Sequence, residues 1–174
     1  GIVPTSSTSA QLAIGDALAI ASLKKKKFSK YDFSRIHPSG NLGYQLKTVE
    51  DLMITGKKIP FINENQKMES ALKIITNKKL GVLIVKNRKG KVIGIITDGQ
   101  IRRSSQKNKE IQNLRVKEVM TKNPISVDKD ILAAKALSIM NARKITSLCV
   151  YNKKNKSKTI GILHIHNVLE NNVR

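Results

Sequence analysis

The sequence has a single cysteine, Cys149, and no tryptophan, and aromatic residues make up only 3% of its 174 residues. One cysteine excludes both an internal disulfide framework and a cysteine-based metal site. The scarcity of aromatic side chains argues against single-stranded nucleic-acid binding, in which bases stack on aromatic rings between the cations. The longest dense apolar stretch, residues 11–23, is too short to cross a bilayer. We therefore expect no nucleic-acid or membrane partner.

Acidic residues are also scarce, since 12 Asp and Glu accompany 33 Lys and Arg, for a formal net charge of +21. The lysines cluster in predicted turns and on helix exteriors, for example at 24–27 and 153–158, which is typical of a solvated surface. Polyanion binding is the alternative interpretation of this charge, and either way it favours anionic small molecules near the surface. No basic region followed by an apolar segment opens the chain, so we expect a reducing, cytoplasmic location.

The last two-thirds of the chain contain an internal repeat, which defines the predicted domain organisation. Two pairs of matching segments are offset by 67 residues, and the pair that lies between them in the sequence is offset by 65 residues. The three pairs are 51–53 with 118–120, 94–96 with 161–163, and 82–85 with 147–150. Duplicated units whose loops differ slightly in length produce such a change of offset.

Each repeat predicts a strand, a helix, two strands and a second helix. In the first repeat the strands are 59–62, 81–85 and 91–97, and Met68, Ala71, Leu72 and Ile75 share one helix face before a short helix from Asp98. The second repeat predicts strands at 125–127, 147–151 and 159–163, a helix over 131–142 and a last helix ending near Asn171. One unit exposes an apolar sheet face, and pairing the two buries it.

The paired βαββα units, with the segment 94–100 (GIITDGQ) closing the first, resemble tandem cystathionine-β-synthase (CBS) domains. The resemblance implies an α/β (α+β) fold with CBS domains at 48–110 and 111–174. It also implies that nucleotide or nucleotide-sugar effectors bind in clefts between the two halves.

The family pattern Gly-h-h-Thr/Ser-x-x-Asp, in which h is an apolar residue, places a hydroxyl and a carboxylate against such a ligand. By this resemblance the candidate ligand-binding residues are Thr97, Gln100, Arg103, His164 and Asn167. Both carboxylate positions hold amides, which predicts a loss of about 1–3 kcal/mol, or roughly ten- to hundredfold in affinity, for adenosine nucleotides. Arg103 either holds an anion or lies exposed on its helix. The two C-terminal histidines lack a third metal ligand, so we predict no metal site.

The first 47 residues do not match the repeat. Thr8 with Gln11 three residues later predicts a capping box for a helix over about 9–23. Apolar residues lie on nearly all sides of this helix. We therefore expect it to be buried by another part of the protein, which the rest of the sequence does not identify. For that reason, and because no methionine opens the chain, we expect that Gly1 is not the natural start.

The segment 4–8 (PTSST), the apolar helix and the loop 37–43 (HPSGNLG) resemble arabinose-5-phosphate isomerases, in which a sugar-isomerase (SIS) domain precedes a CBS pair. Residues 1–47 would then be the C-terminal remnant of the SIS domain. The resemblance implies reversible conversion of arabinose 5-phosphate and ribulose 5-phosphate through an enediol, without a cofactor, to supply the outer-membrane sugar Kdo. His37 occupies the family's catalytic histidine position, and proton relay near neutral pH suits a histidine.

The same resemblance implies that Thr5, Ser6, Ser7 and Thr8 line the sugar-phosphate site, with ordinary helix capping as the alternative. The family's other catalytic residues precede Gly1, so we expect this chain alone to be inactive, and SIS enzymes form homo-oligomers, here a tetramer. The alternative function is a non-catalytic CBS module that binds a nucleotide or nucleotide-sugar and carries a degenerate SIS remnant.

Overall fold

The computed structural model of the chain describes residues 3–29, 32–33, 36, 44–107 and 110–173, with only the backbone for residues 156–157. The chain divides into two compact units, Gly1–Leu46 and Lys47–Arg174, which are called the first and the second unit below.

Helix α1 (Thr5–Lys25) belongs to the first unit and begins about four residues earlier than the sequence predicts. The capping box predicted for Thr8 and Gln11 is wrong, because Pro4 is the N-cap residue and no side chain caps the helix. The Thr8 hydroxyl instead donates to the Pro4 carbonyl over 2.8 Å, and Ser7 donates to the same carbonyl over 3.0 Å. Ser and Thr side chains commonly form such local bonds to backbone carbonyls of the preceding turn.

The apolar side chains of α1 are exposed, and none of its residues is buried. Leu12 and Leu18 show 67% and 64% of their surface to solvent. The sequence predicts that another part of the protein buries this helix, and this remains a prediction. Among the described residues, no helix has both the length and the apolar content needed to span a membrane.

The second unit consists of two halves with the predicted order of elements. The first half contains α2 (Val49–Leu52), β1 (Ile54–Thr55), a 3₁₀ turn (Gly56–Lys58), β2 (Phe61–Asn63), α3 (Met68–Lys78), β3 (Val82–Lys86), β4 (Val92–Thr97) and α4 (Asp98–Lys107). The second half contains a 3₁₀ turn (Ile111–Asn113), α5 (Val116–Val119), β5 (Thr121–Lys122), β6 (Ser126–Asp128), α6 (Ala133–Arg143), β7 (Ser147–Asn152), β8 (Asn155–His164) and α7 (Ile165–Leu169). The predicted mixed α/β class is confirmed.

Helix α3 forms where the spacing of apolar residues predicts it. Met68, Ala71 and Ile75 are buried, whereas Leu72 lies at the edge of the apolar face and is half-buried. The helix ends at Lys79, whose left-handed backbone has a φ of 54°. Helix α6 ends in the same way at Lys144, with a φ of 52°, so the repeat extends to the helix C-caps.

The change of repeat offset has a structural cause. Gly56 and Asn123 lie 67 positions apart and both have positive φ angles, of 63° and 53°. Phe61 and Ser126, the first residues of β2 and β6, lie only 65 positions apart. The first half therefore holds two additional residues in this connection, which contains the 3₁₀ turn Gly56–Lys58.

The two halves exchange their entry segments. The strand orders are β2-β3-β4-β5 and β1-β8-β7-β6, so β1 joins the sheet of the second half and β5 joins the sheet of the first. The backbone N–H of Val49 donates to the Ile131 carbonyl over 2.9 Å, and that of Val116 donates to the Gln66 carbonyl over 2.9 Å. Each sheet is therefore completed by a strand from the other half, which ties the halves together.

A buried cluster joins the two sheets. Ile59, Val82 and Ile84 from the first half pack with Cys149 and Ile162 from the second. Removing an aliphatic side chain of this size from water contributes about 1.5–3 kcal/mol. The prediction that pairing the repeats buries their apolar sheet faces is confirmed.

The glycines of the repeated Gly-h-h segments make room for the exchanged strands. A Cβ built on Gly161 lies 2.5 Å from Met53 Sδ and 3.1 Å from the Ile54 carbonyl oxygen. The methionine side chain can move, but the carbonyl belongs to the backbone of β1. We expect Gly161→Ala to lower the free energy of unfolding by about 1–3 kcal/mol, measured by urea denaturation.

Gly15→Ala is the matched control for this change, because a Cβ at Gly15 meets nothing within 4 Å. We expect it to leave stability unchanged or slightly raised, since alanine favours a helix over glycine. If Gly161→Ala unfolds at the same urea concentration as the parent, the close approach of β1 does not require a glycine.

Candidate functional site

A cleft of about 590 Å³ opens between the two halves of the second unit. Its walls come from the β4–α4 junction, the β5–β6 connection, the α6–β7 connection and the β8–α7 junction. The lining residues are Gly81, Ile95, Thr97, Asp98, Gly99, Gln100, Arg103, Thr121, Asn123, Pro124, Ile125, Lys144, Ile145, Thr146, Ser147, His164 and His166. Strand ends and helix starts therefore bring polar groups from both halves to one place.

Thr97 and Gln100 form the start of α4 within this cleft. The amide oxygen of Gln100 accepts a hydrogen bond from the Thr97 backbone N–H over 2.7 Å and a longer one from the Thr97 hydroxyl over 3.4 Å. The first of these bonds is one of the two that make up a capping box. The amide oxygen is therefore engaged, and the NH₂ group of Gln100 remains to donate to a ligand.

Two permanent cations face the cleft, one from each half. A Cβ built on Gly99 would lie 3.5 Å from Arg103 Nη1 and 3.9 Å from Thr97 Oγ1, so the guanidinium lies close to the first turn of α4. Lys144, the C-cap residue of α6, lines the cleft from the second half. Asp98 provides the one carboxylate among the lining residues, so the permanent charge of the cleft is positive.

Ser147 provides a buried polar group without a partner. Its residue is only 6% exposed, and its hydroxyl makes no hydrogen bond within the described part of the chain. Ser147 is the first residue of β7 and pairs with His164 on β8. A buried hydroxyl is usually hydrogen-bonded, so Ser147 is an exception among the described residues.

His164 lies at the N-cap of α7, next to His166. Its Nδ1 accepts a hydrogen bond from the His166 backbone N–H over 3.3 Å, which places the proton of the neutral ring on Nε2. Burial lowers the pKa of His164 below its ordinary value of 6.5, and the charge of His166 lowers it further, while Glu170 acts in the opposite direction. His164 is therefore a neutral N–H donor at pH 7.

The structure brings together most of the predicted ligand-binding residues. Thr97, Gln100, Arg103 and His164 all line the cleft. Asn167 is not among the lining residues, and its side-chain oxygen is buried without a hydrogen-bond partner in the described part of the chain.

The predicted catalytic and substrate-binding residues belong to the first unit. Thr5, Ser6, Ser7 and Thr8 form the exposed first turn of α1. His37 lies outside the described residues, so its predicted role stays a prediction.

Sequence reasoning did not select Lys144, Thr146 and Ser147 as site residues. Aligning the repeats at an offset of 65 gives a signal for one of them, because Ser147 stands where the first half has Val82. A serine at the start of an otherwise apolar buried strand indicates a local polar requirement. Lys144 has no such signal, since the equivalent Lys79 is also a lysine. No group of three or more His, Cys, Asp or Glu residues in the described segments is arranged to hold a metal ion.

Comparison with known proteins identifies matches over most of the chain. The CBS domain family model matches residues 49–107 and 116–173. The chain is 42% identical over 170 residues to arabinose 5-phosphate isomerase KdsD of Salmonella typhi and 39% identical to that of Escherichia coli K12. Each match covers 97% of this chain and 51% of the relative, so the chain spans about half the length of these relatives. These matches confirm the similarity to arabinose-5-phosphate isomerases that the sequence motifs indicate.

Solved structures with the same fold include the CBS-domain protein ATU1752 of Agrobacterium tumefaciens. Its TM-score is 0.66 at 18% identity, over 74% of this chain and 96% of that one. Protein CBSX2, solved in complex with AMP, has a TM-score of 0.61 at 22% identity, over 71% of this chain and 93% of that one. At these identities the likeness establishes the fold.

Proposed function

Because the chain belongs to the CBS domain family, we propose that its second unit is a ligand-binding regulatory module, and that the chain forms the C-terminal part of an arabinose-5-phosphate isomerase. The observation that supports the isomerase most is the extent of the match. Similarity to the KdsD enzymes covers 170 residues, whereas the CBS model begins only at residue 49. The first unit therefore takes part in the similarity, and CBS domains alone do not account for it.

In this proposal the first unit belongs to the sugar-phosphate site. The reaction moves a proton between C1 and C2 of the sugar through an enediol, which requires a positioned acid–base group. His37 is our candidate for that group, and Thr5, Ser6, Ser7 and Thr8 are candidates for contacts with the sugar phosphate. The protein acts as a homo-oligomer, a tetramer in the simplest case.

The second unit supplies regulation in this proposal. Its cleft is built from residues of both halves of the pair, so a ligand bound there contacts both. Binding at such a junction stabilises one relative arrangement of the halves. The AMP complex of a structural neighbour is the reason to include a nucleotide among the candidate effectors.

Two purified proteins test this function, the present 174-residue chain and the full-length protein. We expect the full-length protein to convert D-arabinose 5-phosphate into D-ribulose 5-phosphate, followed by a coupled colorimetric assay for the ketose. We expect the chain alone to show no turnover above the buffer rate. A full-length protein that is folded but inactive on both sugar phosphates would instead favour the non-catalytic module.

A further inference from the structure

The four methionines of the chain differ in exposure, and two of them occupy equivalent positions in the two halves of the second unit. Met53 and Met120 lie 67 positions apart, at the C-caps of α2 and α5. Each donates its backbone N–H to the carbonyl of the first residue of that helix, over 2.9 and 3.0 Å. Both residues are half-buried, whereas Met68 and Met140 show none of their surface to solvent. Among the methionines, the equivalent pair therefore presents surface to a reagent in solution.

Each half-buried methionine packs against a glycine of the sheet that receives an exchanged strand. A Cβ built on Gly161 would lie 2.5 Å from Met53 Sδ, and one built on Gly94 would meet Met120 Sδ in the same way. Both glycines are buried, and each pairs with the strand that directly follows its methionine, β1 on β8 and β5 on β4. The sulfur atoms therefore lie at the points where the exchanged strands join the sheet of the other half.

The surroundings of these sulfur atoms suit a thioether better than a sulfoxide. Met53 also packs against the apolar core of the second half, and Met120 against that of the first. The built Cβ atoms would lie 3.1 Å from the Ile54 carbonyl oxygen and 3.0 Å from that of Thr121, and a carbonyl accepts hydrogen bonds but cannot donate one. A sulfoxide oxygen is polar and needs a donor or water. Oxidation should therefore turn the side chain towards solvent and remove the sulfur from its glycine.

We propose that Met53 and Met120 are sites of reversible oxidation by hydrogen peroxide, and that their sulfoxides release β1 and β5 and loosen the pairing of the two halves. A lone pair of the sulfur attacks one peroxide oxygen, so that an S–O bond forms while the O–O bond breaks. The proton of the transferred hydroxyl passes to the departing hydroxide, which leaves as water. The thioether is oxidised to a sulfoxide, the peroxide is reduced, and methionine sulfoxide reductases reverse the change.

Peptide mapping by mass spectrometry tests the selectivity of this oxidation. The 174-residue chain is incubated with hydrogen peroxide at pH 7, and the oxidised fraction of each methionine is followed over time. We expect Met53 and Met120 to react at least about tenfold faster than Met68 and Met140, because a buried side chain reacts only when the structure opens. In the urea-unfolded chain all four should react at the same rate.

Hydrogen exchange and thermal unfolding test the structural effect. In the oxidised chain, peptides that contain β1 or β5 should lose protection from hydrogen exchange, whereas the buried strand β3 should retain it. The melting temperature should fall by at least about 5 °C. Treatment with methionine sulfoxide reductases A and B, one for each sulfoxide epimer, should restore both properties.

A double variant, Met53→Leu with Met120→Leu, separates these two sites from the other oxidisable groups. Leucine keeps the apolar volume and cannot form a sulfoxide, so peroxide should leave the melting temperature and the hydrogen exchange of this variant unchanged. Each single variant should show a shift intermediate between those of the parent and the double variant. Met68→Leu is the matched control, because it also removes one methionine, and its response to peroxide should equal that of the parent.

Equal oxidation rates of all four methionines in the folded chain would overturn the inference. An oxidised chain that keeps the melting temperature and the hydrogen exchange of the untreated chain would also contradict it. An equal loss of stability in the double leucine variant would assign the effect to Cys149 or to the buried methionines instead. None of these results bears on ligand binding or on turnover of arabinose 5-phosphate by the full-length protein.

Discussion

Cys149 of the folded chain should react with a disulfide reagent such as 5,5′-dithiobis(2-nitrobenzoate) at least about a thousandfold more slowly at pH 8 than in the urea-unfolded chain. Burial raises the pKa of Cys149 from 9.0 to about 12, and the thiolate is the reactive form. The pKa difference alone lowers the thiolate fraction by about a thousandfold. Release of thionitrobenzoate is measured at 412 nm.

This reaction also reports on the separation of the two halves. Cys149 is fully buried in the cluster that joins the sheets, so the reagent reaches it only when that cluster opens. Ser138→Cys in a Cys149→Ala background is the control, because position 138 is exposed on α6. That thiol should react at the rate of a free thiol. Rapid reaction of Cys149 in the folded parent would mean that the halves separate readily in solution.

If the full-length protein is the isomerase proposed above, replacing His37 with alanine in it should reduce kcat by at least about a hundredfold. A positioned acid–base group typically contributes 10²–10⁴ to the rate, and an alanine cannot transfer the proton. The measurement is the initial rate of ketose formation from saturating D-arabinose 5-phosphate. KM should change less than kcat, since the proton transfer belongs to the transition state.

Two further readouts separate a catalytic from a structural role of His37. Added imidazole should restore part of the activity of His37→Ala, because it replaces the missing acid–base group. The acidic limb of the pH–rate profile, in the range where a histidine titrates, should be lost. Near-normal turnover, or a loss that imidazole does not restore and that accompanies a lower melting temperature, would assign His37 a structural role.

The sequence predicts the elements of the second unit because their signals are local. The spacing of Met68, Ala71 and Ile75 specifies one face of α3 wherever that helix packs. The same holds for the apolar run of β3, which is buried from Val82 to Val85. The start of α1 was predicted incorrectly because Thr8 and Gln11 match a capping box, while the hydroxyls of the first turn bond to the carbonyl of Pro4 instead.

Only part of the site is predictable from the sequence, because its other residues come together only through the tertiary structure. Thr97 and Gln100 belong to one motif and Arg103 follows it by three residues, so their proximity in the sequence indicates them together. Lys144 and Ser147 come from the connection between α6 and β7, about 40 positions further along the chain, and no local pattern links them to that motif. Their presence in the cleft depends on how the two halves pair.

The sequence by itself determined that the second unit is a duplication, that each copy has the order strand, helix, strand, strand, helix, and that the copies bury their apolar sheet faces against each other. Periodicity carries this information because helices and strands repeat over 3.6 and 2 residues regardless of context. Only the tertiary structure decided that β1 and β5 exchange sheets, and that the cleft combines cations from both halves with the Ser147 hydroxyl. Strand exchange and cleft composition depend on contacts between residues distant in the chain, which close packing of the paired halves selects.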